Sequence, residues 1–239
     1  MIEVHEIRKT FGKIVAVDDV SFMARDGQVT GLLGPNGAGK STTLRIIYGL
    51  LVQDSGTVSV DDIDVRANRI GAQRRMGVLP DSHGLYTRLT AREHIHYFGE
   101  LQGLSKEAVN TRCDELLRLL DMQAIADRRT EGFSLGERMK VCLARAMIHD
   151  PQNILLDEPT NGLDVMTTRT VREIIAELKV RGVAVLFSSH LMHEVSRLCD
   201  QIIIIADGKV AATGTSDEIR AAAGDDSLEE AFVKLVERV

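Results

Sequence analysis

The chain has 239 residues, 44% of them hydrophobic and 27% charged. That suits one large domain, or one with a small insert, and excludes disorder as the main state. Lys plus Arg total 29 against 35 Asp plus Glu, a net charge of −6, which argues against a nucleic-acid partner held through its phosphate backbone.

The three cysteines, Cys113, Cys142 and Cys199, are far apart and form no CxxC pair. A disulfide framework or a cysteine zinc site is therefore not expected, and a reducing compartment fits. The opening MIEVHEIRKTF lacks the basic and apolar regions of a signal peptide. The most apolar runs, such as Ile202 to Ala206, fall well short of the roughly 20 residues a membrane-spanning helix needs. The chain is expected not to cross a membrane itself, while remaining free to dock on a protein that does.

Taken in order, short apolar runs alternate with helix-length patterns, the mark of an α/β fold. Val4 to Ile7 and Ile14 to Phe22 read as strands, with a turn at Asp26-Gly27. Val29 to Leu33 is a buried-strand candidate that runs into a glycine-rich stretch, and Ser41 to Leu50 is helical in character. Thr57 to Val60 and Ile63 to Val65 read as further short strands.

From Thr90 to about Ile148 the periodicity is helical. Thr90-Ala-Arg-Glu93 matches a capping box, and Val109, Cys113, Leu116, Leu117 and Leu120 recur at helical spacing. Asn153 to Leu156 and Val183 to Phe187 read as buried parallel strands, with Val171 to Leu178 as the crossover helix between them. Asp207-Gly208 separates two apolar runs as a hairpin turn, and Ser227 caps a short final helix. This organisation predicts one domain over 1–239. Residues 1–81 and 150–239 make an α/β core with a β-subdomain, and 82–149 make a helical insert.

The chemistry concentrates in two segments. Gly34-Pro35-Asn36-Gly37-Ala38-Gly39-Lys40-Ser41-Thr42 fills the GxxxxGK[ST] pattern between a strand and a helix. Glycines let backbone N–H groups converge on phosphate oxygens, and the helix start adds its positive dipole end. Lys40 is expected to reach the β- and γ-phosphates, and the Ser41 hydroxyl to ligate Mg²⁺. The competing reading is an ordinary glycine-rich turn. Ile154-Leu-Leu-Asp157-Glu158 then places two carboxylates at a strand's C-terminal tip, where ligands sit in open α/β sheets. Asp157 would hold Mg²⁺ and Glu158 would polarise the attacking water; the competing reading is an acidic turn before Pro159. His94 and His96 diverge on a helix, and His190 and His193, read as sharing a face, have no third ligand, so no protein-only metal site is expected.

With Gly132-Phe-Ser-Leu-Gly-Glu-Arg138 added, essentially the whole chain resembles the ATP-binding cassette of an ABC transporter. The resemblance implies a P-loop fold with a RecA-like core, an N-terminal antiparallel β-subdomain and a helical insert. It implies ATP and Mg²⁺ as cofactors, and ATP hydrolysis catalysed by Glu158, His190 and Lys40. Phe133-Ser134-Leu135-Gly136-Glu137 stands for the LSGGQ-like signature, with Ser134 and Gly136 at the positions that face the γ-phosphate of a partner cassette's ATP. Leu135 and Glu137 depart from the commonest pattern, and Glu137 would bring negative charge toward that nucleotide. Ser134 and Glu137 also form a capping box, which is compatible with a signature role.

By the same resemblance, Phe11 sits where an aromatic residue stacks on adenine, the other reading being a core Phe. Asn161-Gly162-Leu163-Asp164 matches the D-loop, and His190 the switch histidine. Asp81 stands where most cassettes carry the Q-loop glutamine, and as a carboxylate it adds a possible Mg²⁺ ligand. The stretch from Ser82 to Glu93 is the part that usually touches the membrane partner. Together with 134–141 and 157–168 it is similar to the NatA-type branch, ATPases of sodium exporters. The implied unit is a homodimer, or a pair of related cassettes, that closes on ATP. It would drive a permease on a separate chain, from the cytoplasmic side of the cell membrane. The alternative is a soluble regulatory or assembly ATPase of the same family.

Overall fold

Several strands read from uninterrupted apolar runs owe that composition to burial on both faces. In β3 (Val29–Leu33), β7 (Asn153–Asp157), β8 (Ala184–Ser189) and β9 (Gln201–Ala206), alternate side chains enter two different cores. Ile154 and Leu156 point one way and Leu155 the other; Val185 and Phe187 oppose Leu186; Ile202 and Ile204 oppose Ile203 and Ile205. A strand with two buried faces shows no polar alternation, so it reads as a solid hydrophobic block.

The protein is described from a computed structural model over residues 1–81 and 84–238. Those strands belong to a six-stranded sheet in the order β10-β9-β3-β8-β7-β6, where β6 is Met76–Leu79 and β10 is Lys209–Gly214. The pairs from β6 to β9 are parallel, and only β10 runs antiparallel. The β9–β10 hairpin turns at Asp207 and Gly208, with φ of 47° and 78°, the left-handed pair that a tight turn requires. A second, fully antiparallel sheet has the order β2-β1-β4-β5, built from β1 (Ile2–Phe11), β2 (Ile14–Ala24), β4 (Ser55–Val60) and β5 (Ile63–Asp64).

One core lies between the two sheets and holds α1 (Lys40–Ile47), with Leu44, Ile46 and Ile47 fully buried. The other lies on the opposite face of the parallel sheet. It joins α3 (Ala91–Leu101), α4 (Lys106–Leu119) and α5 (Leu135–Met147) to α6 (Val165–Val180) and the C-terminal α8 (Ser216–Ala223) and α9 (Leu228–Val236). Short α2 (Arg69–Gln73) and α7 (Met192–Leu198) complete the set.

The elements the sequence announced differ from that reading mainly in extent, while β6, α2, α7 and α8 were not announced. β1 and β2 run beyond the apolar stretches that announced them, because the polar residues of a half-exposed sheet still pair. The crossover helix starts at Val165 because the Asp164 side chain accepts from the Met166 and Thr167 amides and caps it there. His190 precedes α7, so it does not share a helical face with His193, whose Nε2 lies 3.1 Å from Glu194.

Phe187 is 1% exposed and Phe11 is 47% exposed. Phe187→Ala is expected to cost about 3–5 kcal/mol in urea unfolding, and Phe11→Ala less than about 0.5 kcal/mol. Equal losses would contradict this assignment of the core.

Candidate active site

The phosphate loop leaves the tip of β3 and closes on the first turn of α1. Gly39, at the N-cap, has φ of 105°, and a Cβ there would sit 2.4 Å from the Ala16 carbonyl oxygen on β2. Only glycine meets both demands. The Gly208 amide donates to Ala38 O at 3.1 Å, tying the loop to the β9–β10 turn. No acidic residue occupies the first turn of α1, so its positive end faces the loop uncompensated. Lys40 is buried, and its Nζ donates to Gly34 O at 2.7 Å and Pro35 O at 3.2 Å. Burial pulls its pKa below the ordinary ammonium range, while the charges of Glu158 and Asp157 work the other way.

The second half of the site lies at the carboxyl tips of β7 and β8. Asp157 is 2% exposed. Its Oδ1 accepts from Ser188 Oγ at 2.6 Å and lies 3.4 Å from Ser41 Oγ. This carboxylate therefore joins the start of α1 to the end of β8. Glu158 follows with φ of 51°, and its amide donates to both Ser188 O at 3.2 Å and Ser188 Oγ at 3.1 Å. A left-handed glutamate costs energy, and here Ser188 holds it in place. The Glu158 Oε2 meets His190 Nδ1 at 2.9 Å.

These groups open onto one cleft of about 480 Å³, lined by Ala16, Asn36, Gly37, Gly39, Lys40, Ser41, Thr42, Asp81, Glu158, Asn161 and His190. Gly34 and Ala38 are buried in the back of the loop, Pro35 is on its outside, and Asp157 lies behind Ser41. Phe11 is not among the lining residues; its ring lies 5.6 Å from Lys9 Nζ on the exposed end of β1. Sequence reasoning did not single out Ala16, Asn161 as a cleft residue, or Ser188. Ala16 carries no chemical signal, and Ser188 meets Asp157 only across the sheet. Asn161 was legible in principle, since the turn that Glu158 opens (Asn161 N to Glu158 O, 3.1 Å) brings it back toward the cleft.

Ser134, Gly136, Glu137 and Asp164 do not line this cleft. Ser134 caps α5 in a full capping box: its Oγ accepts from Glu137 N at 3.2 Å, and Glu137 Oε2 accepts from Ser134 N at 2.8 Å. Glu137 Oε1 is also 3.0 Å from Arg128, whose guanidinium lies 4.7 Å from the Phe133 ring centroid. These bonds hold the Glu137 carboxyl below the usual range against the cost of burial. Its charge is thus matched locally rather than projected outward. A Cβ on Gly136 would come within 2.8 Å of Thr167 Oγ1, so the start of α5 packs directly on the start of α6. Val165 and Met166 stand 84% and 70% exposed at that junction. Of the stretch expected to meet a membrane partner, Ser82 and His83 lie outside the described residues.

Residues 17–161, more than half of the chain, match the family model described as ABC transporter. The chain belongs to the ABC transporter family. It is 43% identical over 225 residues to the ABC transporter ATP-binding protein NatA of Bacillus subtilis, covering 93% of this chain and 92% of that protein. A solved ATP-binding subunit of an ABC transporter superposes with a TM-score of 0.91 at 31% identity, over 98% of this chain and 99% of that one. A dimeric ATP-binding cassette in a post-hydrolysis state with ADP and phosphate superposes with a TM-score of 0.81 at 26% identity, over 90% of this chain and 98% of that one. The cassette is an ABC ATPase, and the fold expected of it is the fold observed.

Ser188 holds both acids of this ABC cassette. Ser188→Ala is expected to lower kcat about tenfold or more while the Kd for ATP stays within about threefold, since misplacing a reacting group by 1 Å costs up to about 10²-fold. Phosphate-release assays and nucleotide titration read the two quantities separately; an unchanged kcat would contradict the role.

Proposed function

We propose that this chain powers transport by closing, as a dimer, around ATP and reopening when the γ-phosphate is cleaved. The observation that carries the reading is the separation, within one chain, of a phosphate cleft from a capped, exposed helix start at Ser134. A helix N-terminus suits phosphate, and an isologous pair lets each copy's Ser134 and Gly136 complete the other's cleft. Exposed Val165 and Met166, next to Asp164, supply apolar surface for that contact.

In this mechanism the backbone of Asn36 to Thr42 cradles the triphosphate. Lys40 exchanges its loop carbonyls for phosphate oxygens, and Phe11 stacks on the adenine. Glu158 accepts a proton from the attacking water, and His190, held at 2.9 Å from that carboxylate, orients it and reaches the γ-phosphate. Among the described residues no cluster of three or more His, Cys, Asp or Glu forms a metal cage. The oxygen donors Ser41, Asp157 and Asp81 instead suit Mg²⁺, which takes few protein ligands and completes its shell with phosphate and water. When bound, the ion neutralises charge on the β- and γ-phosphates.

The permease is a separate chain, and the cassette works as a peripheral protein on the cytoplasmic side of the membrane. Among the described residues no helix is long and apolar enough to cross one. A groove of about 400 Å³ between Tyr48, Leu50, Met76, Val78 and Pro80 on one side and Phe98, Gln102 and Arg145 on the other offers a largely apolar seat next to Asp81. This is where a permease segment would sense the cleft. The likeness to the NatA-type branch supports export as the direction and Na⁺ as the cargo.

Lys40→Ala is expected to weaken ATP binding by at least tenfold. Glu158→Gln should keep binding while losing about 10²–10⁴-fold in hydrolysis and accumulating a dimer. Wild-type hydrolysis by Glu158→Gln would overturn the base assignment. Cross-linked recovery from native membranes is expected to bring down a multi-spanning protein, and vesicles holding both chains should move Na⁺ when ATP is supplied. Recovery of only a soluble partner would favour a regulatory or assembly ATPase.

A further inference from the structure

Among the described residues two carboxylates are buried, Asp157 and Glu194. Asp157 belongs to the site; Glu194, in the first turn of α7, does not line the cleft. Arg172, on α6, holds Glu194 with a two-pronged fork: Nε donates to Oε2 at 2.8 Å and Nη2 to Oε1. His193 Nε2 lies 3.1 Å from the same Oε1. The fork keeps the Glu194 carboxyl below the usual carboxylate range against the cost of burial.

His190 sits in the link between β8 and α7. Ser189, buried at the end of β8, reaches across it: its Oγ accepts from the Leu191 amide at 3.0 Å. The Glu194 amide in turn donates to Leu191 O at 3.1 Å. The residue after His190 is thus tied to the strand on one side and to the first turn of α7 on the other, and the aim of His190 at Glu158 depends on where that turn lies. α7 cannot fix the turn by itself. It has seven residues and no side-chain cap at Leu191, and so short a helix is marginal in water. Its middle and end are seated on β3, where a Cβ on Gly31 would lie 3.2 Å from Val195 Cγ1 and 2.5 Å from Cys199 Sγ. The first turn, nearest His190, is held by the fork.

Stability does not account for this pair. Apolar residues of similar volume commonly match or better a buried ion pair, and a glutamate left in water would complement the helix dipole equally well. What an apolar pair lacks is direction, since two parallel N–H···O bonds fix both distance and angle.

We propose that Glu194 is a positioning residue for ATP hydrolysis, whose bidentate pair with Arg172 sets the first turn of α7 and thereby holds His190 against Glu158. The inference rests on the reading that His190 acts in hydrolysis.

The test compares the double variant Arg172→Met/Glu194→Leu, which fills the space without charge, with Arg172→Lys, which keeps the charge and loses the fork. The double variant is expected to unfold in urea at the wild-type midpoint or above it. It should bind ATP within about twofold of wild type and lose about tenfold in kcat with KM little changed. Nitrogen NMR should show the His190 ring resonances displaced from their wild-type positions as the bond to Glu158 loosens. Arg172→Lys should be slow in the same way, and it serves if the double variant does not fold. Wild-type kcat in either folded variant would overturn the proposal, as would slow hydrolysis with the His190 resonances unmoved. Failure of the His190 reading would show separately, as wild-type kcat in His190→Ala with the fork intact.

Discussion

A carboxylate taken out of water must be matched or it costs several kcal/mol, and the site is organised around one that is. Asp157 is almost completely buried at the tip of β7, held by the hydroxyl of Ser188 and close to that of Ser41. Those two serines belong to the neighbouring strand β8 and to the first turn of α1. One buried charge therefore fixes three elements relative to one another, and with them Lys40, Glu158 and His190. It also sets the electrostatics of the cleft. With the charge of Glu158, that of Asp157 counters the desolvation of the Lys40 ammonium.

The sheet topology makes that junction possible. β3, β7 and β8 are parallel neighbours, so their carboxyl ends lie side by side and deliver the phosphate loop, the acidic pair and His190 to one edge. Ala16 on β2 and Gly208 in the β9–β10 turn close the back of the loop, which is why Gly39 cannot carry a side chain. The helical block follows different logic. Its capping boxes at Thr90 and Ser134 complete its own helix starts, and it presents Ser134 away from the cleft of its own chain. The cleft and the helix start at Ser134 are thus organised separately.

The sequence is most informative where chemistry is local along the chain. The phosphate loop occupies consecutive residues, and both the strand before it and the helix after it announce themselves. The capping boxes at Thr90 and Ser134 are equally local, and both are present with both bonds made. Legibility falls where a contact crosses the fold. Ser188 and Asp157 meet across a sheet, and nothing in either segment alone marks the pairing. β6 spans only Met76–Leu79, between two arginines and a proline, too short for periodicity to distinguish it from a loop. α2 and α7 are five and seven residues long and escaped for the same reason. His94 looked like one of two diverging histidines on a helix; its burial and its bond to Tyr86 depend on a loop that sequence spacing does not place.

The central claim is that each chain carries half of an ATP site and that Ser134 completes the other copy's half. Mixing two inactive variants tests it most directly. Lys40→Ala keeps an intact signature, while Ser134→Asp keeps the helix cap, since Asp caps as well as Ser, but turns a carboxylate toward the partner's phosphate. Each alone is expected to hydrolyse ATP at least about tenfold more slowly than wild type. In a mixed dimer, the phosphate loop of one variant meets the intact signature of the other, so the mixture is expected to recover ATPase activity well above the sum of its parts. Activity no greater than that sum, with mixed dimers demonstrably formed, would contradict the account.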